Sequence, residues 1–568
     1  MAIVNPLTIF KSHVIRHLKR KLRPFYKKAA HLFFGKRAYH AWILTNEPNT
    51  AALTAQRTHR FDYMPYFAVL CVVNPECIER IIASLRGQTY VRWRLYLLSG
   101  SPKDASLEIE ENIRFIDRAL PPDEIISLVD GDFIVAIGQN TILCPFALYE
   151  ITASMNTNPA GKLFYSDEDS IIGGKRASPH FKPDCSPDTL RSFDYIGTFM
   201  VITRELFVSE LPLSVESRYA LALKYAQETG AVVHIRKVLF HTVGKGEGTP
   251  HAAEKKALSC HLAKLGIAAE VQEHRPGLFN VIYKIPDTPR VSIIIPNKDN
   301  AELLAKCVKS IIYKTAAYDN YEIVIIENGS VRKDTFTLYD TLRRDERVRI
   351  INWQGEFNYP KVNNYGAMCS DGAVLLFLNN DIEAINADWL VNMVRHAVRK
   401  DVGAVGAKLY YPDGTIQHGG IVVGVGGVAV EYHKGFDGGD AGYFNRLAIV
   451  HNVAAVTGAC LMLRRELFDT VKGFDESYAL AYNDVDLCLR LMELGYPTVW
   501  TPFSELVHRE SKTRGYEITQ AQRQRLNDES MRFTKRWRHI LDEGDPYYNP
   551  NLSRDRGDFT LGGNLSND

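Results

Sequence analysis

The chain has no run of about 18 apolar residues, so no membrane-spanning helix is expected. Its nine cysteines are odd in number and include no CxxC pair, which argues against a zinc ribbon or a complete disulfide framework. They read as the reduced core thiols of a cytosolic protein. No GxGxxG follows the first strand of either half, and the glycines of GKGEGT around Lys245 lack the GxxxxGK[ST] spacing of a phosphate-binding loop. Acidic residues are missing from Met1 to Asn46, where Lys11, Arg16, Lys19, Arg20, Lys21, Arg23, Lys27, Lys28, Lys36 and Arg37 accumulate. Ile9, Phe10, Val14, Ile15, Leu18 and Leu22 recur there at nearly helical intervals, without the long apolar region of a signal peptide. Such a basic amphipathic arm suits the anionic cytoplasmic face of a membrane, or packs as a solvated helix on the rest of the protein. No nucleic-acid partner is expected, because no recognised motif accompanies the charge.

At 568 residues the chain exceeds one hydrophobic core and calls for two or three domains. Strands alternate with helices, which predicts α/β architecture: Tyr66 to Val73, Arg94 to Leu98, Asp132 to Ile137 and Leu163 to Asp167 precede a proline-bearing linker from Ile285 to Arg290. A second series follows, with VSIIIP from Val291, YEIVII from Tyr321 and VLLFL from Val374. The two series look like copies. Gly131 to Leu148 can be laid without a gap on the stretch from Gly372 to its last turn before Leu390, Gly197 to Phe207 falls on Gly458 to Phe468, and His241 comes near His508. Three matches in one order argue for duplication. The copies differ in their acids: Asn140 stands opposite Asp381, and the first copy lacks the part that contains Asp484 and Asp486. The expected layout is therefore a basic helical arm (1–60), a degenerate domain (61–284), a catalytic domain (291–515) and a C-terminal helical extension with a tail (516–568).

The continuous apolar run VLLFL reads as a strand buried on both faces, and it ends in Asn379, Asn380 and Asp381. Polar groups at the carboxyl end of such a strand mark the ligand end of an open α/β sheet, although a solvated turn is the plain alternative. Three further groups sit in comparable places: Glu327 to Ser330 after YEIVII, Asn483 to Asp486 before an apolar-periodic helix, and His508 after Pro502 and Phe503. Asn483 or Asp484 could equally cap that helix.

Taken together these stretches resemble the family 2 glycosyltransferases, inverting enzymes of the GT-A fold, and more narrowly the rhamnosyltransferase-like members of O-antigen and surface-polysaccharide pathways. The matching phrases are VSIIIPNKDN, YEIVIIENGS, FNYPKVNNYGA, LFLNNDIEAINADWL, VGAVGAKLYYPDGTIQHGG, AVTGACLMLRRELF, GFDESYALAYNDVDLCLRL and LVHRESKTRG, covering roughly Val291 to Gly515. DPYYNPNLS and DFTL continue the likeness to the C-terminus, and YSDEDS with FKPDCSPDTLRSFDYIG resembles an N-terminal domain often found in such proteins. The resemblance implies two tandem GT-A-like domains, the first degenerate. It implies that Asp381 and His508, with Asn379 in place of an acid, bind Mg²⁺ or Mn²⁺ on the donor diphosphate, and that Asp484 is the general base. Asp486 then supports the site or pairs with Arg490. Pro296, Asn297, Asn328 and Asn380 line the donor cleft, Glu327 lies near the nucleotide base, and Lys361 and Asn364 lie near the phosphates. Thr457, Gly458 and Ala459 form a floor near the acceptor, and Arg509, Lys512 and Arg514 belong to a basic loop closing on the diphosphate.

The expected activity is metal-dependent transfer of a sugar, with rhamnose or another deoxyhexose as first guess, from a nucleoside diphosphate donor to a growing, lipid-linked bacterial surface glycan. The expected location is the cytoplasm, peripheral to the inner face of the cytoplasmic membrane. A processive synthase is disfavoured by the lack of QxxRW near Trp537. Two other readings stay open: both halves active, with Asp167, Glu168 and Asp169 as the first site's acids, or a non-catalytic carbohydrate-binding scaffold.

Overall fold

The computed structural model describes residues 37–72, 75–100, 111–211, 214–244, 251–509 and 519–562. Most of the basic arm, and Lys512 and Arg514, lie outside them. Residues 37–46 are helical, and Tyr39 and Trp42 on this helix are buried. None of the described helices is long and apolar enough to cross a membrane.

Two large sheets dominate, and their strand orders are identical. The first runs Ile113–Asp117, Trp93–Ser99, Phe67–Val72, Phe133–Ile137, Met200–Thr203, Leu163–Ile172, Val232–Val243, Thr141–Leu143. The second runs Val348–Asn352, Tyr321–Glu327, Val291–Asn297, Val374–Leu378, Cys460–Arg464, Ala404–Tyr410, Thr498–His508, Ile382–Ala384. Strand senses agree pair by pair, from the parallel first four to the antiparallel last pair. The duplication read from three sequence matches is thus a duplication of topology.

Apolar runs without alternation form these central strands because both faces are covered. Ile293, Ile295, Leu376 and Leu378 enter one core, while Ile294, Leu375 and Phe377 enter another on the opposite face. The same division separates Val69 and Leu97 from Ala68 and Leu98 in the first half. One glycine is needed at the same place in both copies. A Cβ on Gly131 would lie 2.8 Å from Ala68 N, and one on Gly372 would lie 2.5 Å from Ser292 N, so only glycine lets the chain enter the central strand beside its neighbour.

The halves are clasped by buried charges. Asp188, in the first half's short helix Pro187–Ser192, accepts from Arg399 Nη1 at 2.5 Å and from Asn452 Nδ2 at 3.0 Å, while its own N–H donates to Asn452 Oδ1 at 2.9 Å. Arg399 also lies 4.6 Å over the Tyr283 ring. The C-terminal helix Gln520–Arg536 packs on the second half, where Glu529 accepts the N–H groups of Leu480 and Ala481. The tail then crosses to the first half, and Asn549 Nδ2 donates to both carboxylate oxygens of Asp167 at 3.0 and 2.9 Å.

Burial alone would raise the Asp188 carboxyl, but Arg399 and Arg191 outweigh it and hold the group well below the usual carboxylate range. Its stabilisation is therefore present above the unfolded-state pKa and is lost as pH falls. Asp188→Ala leaves Arg399 with Asp401 as its remaining carboxylate and leaves Asn452 Nδ2 without its acceptor, and the expected loss is about 1–3 kcal/mol near neutral pH. Urea unfolding of the variant and the wild type at pH 7 and pH 3 checks both the loss and its narrowing in acid.

Candidate active site

In the second half the carboxyl ends of Val291–Asn297, Tyr321–Glu327 and Val374–Leu378 lie side by side, since these strands pair in parallel. Their terminal polar residues form one chain of hydrogen bonds. Asn380 Nδ2 donates to Asn297 Oδ1 at 2.6 Å, Asn297 Nδ2 donates to Tyr339 Oη at 2.8 Å, and the Tyr339 hydroxyl donates to Glu327. Glu327 also accepts from Ser330 Oγ at 2.7 Å, and Asn328 N donates to Asn297 O at 2.9 Å. Asn297, Glu327, Asn328 and Tyr339 are all buried. A buried carboxylate with this many donors is rigid and fixes its neighbours. Tyr339 has no place in the sequence reading: it lies on the amphipathic helix Lys333–Leu342 and looks like core. Pro296 sits within the strand opposite Ile326.

Asp381 and His508 meet because Ile382 is in register with His508 and Arg509 N donates to Asp381 O at 3.0 Å. His508 Nε2 lies 3.2 Å from Asp381 Oδ1, and its Nδ1 lies 2.8 Å from Gln417 Oε1. The amide oxygen of Gln417 can only accept, so the ring proton sits on Nδ1 and Nε2 presents a lone pair. The Asn379 amide, 3.4 Å from Nε2, donates to that same lone pair. Asp381 Oδ1 is buried and receives no hydrogen bond. Two electron-rich atoms thus face each other at contact distance, a donor set that suits a cation. Among the described residues no group of three or more His, Cys, Asp and Glu side chains is arranged to hold a metal.

Asp484 lies in the first turn of Asn483–Glu493, inside the cap position, and its Oδ1 accepts the first-turn N–H of Val485 at 2.9 Å. Tyr482 occupies the cap position with left-handed backbone and no side-chain bond, and Asn483 Nδ2 donates to Tyr478 O. The Asp484 carboxylate turns outward to another segment, where Oδ2 accepts from Gly458 N at 2.7 Å. A Cβ on Gly458 would lie 3.1 Å from Tyr359 Oη, a tight contact, and 3.5 Å from Asp484 Cβ, an ordinary one. Tyr359 donates to Gly458 O at 2.6 Å, and Asn379 N donates to Ala459 O at 3.0 Å. Thr457 to Ala459 therefore join the Asp484 carboxylate to the loop that carries Asp381. Burial raises the Asp484 carboxyl above its ordinary value, with Glu431 adding in the same direction against the bonds from Gly458 and Val485.

Other residues singled out from the sequence have structural partners. Asp486 is fully buried and accepts from Arg490 Nε at 2.8 Å and Trp537 Nε1 at 3.0 Å, so it ties the helix to the C-terminal extension. Asn364 uses both ends of its amide on the backbone of Phe474. Lys361 is exposed, and Arg509 pairs with Glu383. The sequence reading gave no role to His418 and Glu431, which lie 2.5 Å apart beside Thr457.

Residues 292–472 match the family model Glycosyl transferase family 2, and residues 412–541 match Glycosyl transferase family group 2. The uncharacterized protein y4gI of Sinorhizobium fredii is 35% identical over 548 residues, covering 90% of this chain and 60% of the relative. The O-antigen biosynthesis protein RfbC of Myxococcus xanthus is 35% identical over 547 residues, covering 91% of this chain and 42% of the relative. The chain thus spans about half the length of these relatives. Among solved structures, the mannosyltransferase PcManGT from Pyrobaculum calidifontis in complex with GDP-Man and Mn²⁺ matches at 18% identity with a TM-score of 0.34, over 47% of this chain and 69% of that one.

A raised Asp484 pKa means that the folded state holds this proton more tightly than the unfolded chain does. Its contribution to stability accordingly falls as pH rises from the ordinary carboxylate range through the raised value. Asp484→Asn, which keeps an acceptor for Gly458 N, should unfold at a urea concentration no lower than wild type at pH 7.5. The two midpoints should converge at pH 3.

Proposed function

From the glycosyl transferase family 2 domain that residues 292–472 carry, we propose that this chain is an inverting glycosyltransferase with one active site, in its second half. The observation that carries the reading is the Asp484 carboxylate. It is raised by burial and held by Gly458 N, one residue from the peptide that anchors the Asp381 loop.

Asp484 takes the proton of the acceptor hydroxyl while that oxygen forms its bond to the anomeric carbon of the donor. The bond from that carbon to the diphosphate oxygen breaks in the same displacement, and its electron pair leaves with the nucleoside diphosphate. A carboxylate raised toward neutrality is a stronger base than a solvated one, which suits it to this step. Asp381 and the lone pair of His508 Nε2 would hold a divalent cation, Mg²⁺ or Mn²⁺, whose charge stabilises the departing diphosphate. The Asn379 amide, 3.4 Å from His508 Nε2, would give up that contact when a cation takes the lone pair, and its oxygen is the atom that could join the ligands. The hydrogen-bonded series Glu327, Tyr339, Asn297 and Asn380 forms the donor floor, with Pro296 and Asn328 beside it and Lys361 at its rim. Thr457 to Ala459 form the acceptor side. Asp486 and Asn364 act at one remove, by fixing the helix of Asp484 and the turn at Phe474.

The acceptor is a growing surface glycan. The printed name of the Myxococcus relative, an O-antigen biosynthesis protein, supports that class. A lipid-linked glycan at the inner face of the cytoplasmic membrane would give the basic arm its purpose, and a deoxyhexose such as rhamnose is the donor sugar to try first.

The first half supports a single site. Val243 N donates to Asn140 O as Arg509 N donates to Asp381 O, so Asn140 takes the position of Asp381. Thr141 is in register with Thr242 as Ile382 is with His508, so Thr242 replaces the histidine. His241 faces elsewhere and bonds to Asp169 at 2.5 Å. Beside Thr242 stands Glu168, already paired with the fully buried Lys182 at 3.1 Å. Asp167 and Asp169 are likewise occupied, by Asn549 and His234 and by Arg176 and His241.

A panel of nucleotide sugars, scored for metal-dependent hydrolysis or transfer to a lipid-linked glycan, tests the reading. Asp381→Ala should abolish metal-dependent turnover, and Asp484→Asn should lower kcat by about 10²–10⁴ while leaving donor binding intact. Asn140→Ala should behave as wild type. Activity surviving both second-half substitutions would refute the assignment.

A further inference from the structure

The two peptides that flank Thr457 are held by different side chains. Gly458 N–H points to Asp484 Oδ2, and the preceding N–H, of Thr457, points to His418 Nε2 at 3.5 Å. Because Nε2 accepts, the ring proton of His418 sits on Nδ1, which donates to Glu431 Oε2 at 2.5 Å. His418 ends the strand Ile416–His418 and is buried, whereas Glu431 ends Ala429–Glu431 and keeps 23% of its side chain exposed. Glu431 is fixed in turn by the register of its strand, which places it opposite Ile421. A series therefore runs from Glu431 through His418 to two consecutive backbone N–H groups and ends on the Asp484 carboxylate. None of its side-chain partners before Asp484 belongs to the donor floor.

We propose that His418 and Glu431 are positioning residues for the base: the pair holds the Val456–Thr457 peptide, and through Thr457 it aligns the next N–H, that of Gly458, on the carboxylate of Asp484. The Glu431 charge also acts on that carboxylate, in the direction that opposes its ionisation. The inference rests on reading Asp484 as the base. A histidine held between a carboxylate and a backbone N–H has one tautomer and one orientation, which suits it to aligning a neighbouring peptide. Around Asp484 the other groups are Tyr359, bonded across Gly458, and Cys488, one turn along its own helix, whose thiol burial pushes up to about 12. Neither carries charge at neutral pH, so Glu431 is the charge that acts on Asp484 from outside its own helix. Loss of one aligning hydrogen bond corresponds to about a three- to tenfold change in rate.

The test uses the full chain with the UDP-, GDP- and dTDP-sugars of the panel. Glu431→Gln, close to isosteric, should lower kcat about three- to tenfold with donor KM unchanged and should move the acid limb of the kcat profile to lower pH. His418→Phe should lower kcat likewise. An unmoved acid limb with Glu431→Gln would overturn the proposal, because a merely structural role changes the rate without moving the limb. Asp484→Asn is run beside them. If it keeps full activity, the base assignment itself fails; if it is inactive while Glu431→Gln matches wild type, the positioning inference alone fails. A measurement independent of turnover decides in the absence of a donor. In a double-mutant cycle of Glu431→Gln and Asp484→Asn by urea unfolding, coupling at pH 7 that disappears at pH 3 supports the proposal, and additivity at both pH values overturns it.

Discussion

The hydrogen bond from Gly458 N to Asp484 is the contact around which the second half is arranged. A side chain at that position would press on the Tyr359 hydroxyl that bonds Gly458 O. One oxygen of Asp484 serves the first turn of its own helix, at Val485 N, and the other reaches out to Gly458. Partial removal of a carboxylate from water makes its charged form costly, and the same cost would strengthen it as a base in the proposed mechanism. The carboxyl is accordingly held above its ordinary pKa.

The two sheets share one scaffold and differ in the polar residues at their strand ends. Strand order, strand sense and the crowded glycine at Gly131 and Gly372 are common to both halves, since each is set by packing. The polar residues at the strand ends are set by chemistry alone and have drifted. Asn140 stands for Asp381, and a one-residue difference in register exchanges His241 for Thr242 at the place of His508. In a strand one residue of slip reverses the facing of a side chain. This is why the histidine match seen in the sequence does not carry over to the site, although the residues align by eye.

The parts of the fold legible in the sequence were those with a dense local signal. VSIIIP, YEIVII and VLLFL became buried parallel strands because an unbroken apolar run has few other uses, and the glycosyltransferase resemblance of the second half agrees with the family models matched there. Asp381 and His508 were legible as a pair only through the family phrases, because 127 positions of chain bring them together without any local pattern, and their contact exists only through the strand register. Tyr339 was invisible: one tyrosine on the buried face of an amphipathic helix looks like core until its hydroxyl is seen between Asn297 and Glu327. Asn364, which the family resemblance puts near the phosphates, has its amide on both backbone groups of Phe474, a contact that no local sequence pattern announces. The histidine of IQHGG, a single polar side chain between an apolar strand and two glycines, was the available signal for His418.

The first half braces the second. Asp188 fixes Asn452, and Asn452 belongs to the short strand His451–Val453, which pairs with Thr498–His508. Five residues after Asn452 comes Thr457, so the clasp between the halves anchors the segment that presents Gly458 to Asp484. The C-terminal tail reaches the same region from another side. Asp545 accepts from Val423 N at 3.0 Å, on the strand paired with that of Glu431, while Asn549 holds Asp167 of the first half. Both braces therefore converge on the acceptor side of the site and leave the donor floor to the parallel strands beneath it. A rigid floor built from strand ends and an acceptor side braced by a second domain is a division that lets the scaffold of one half serve the chemistry of the other.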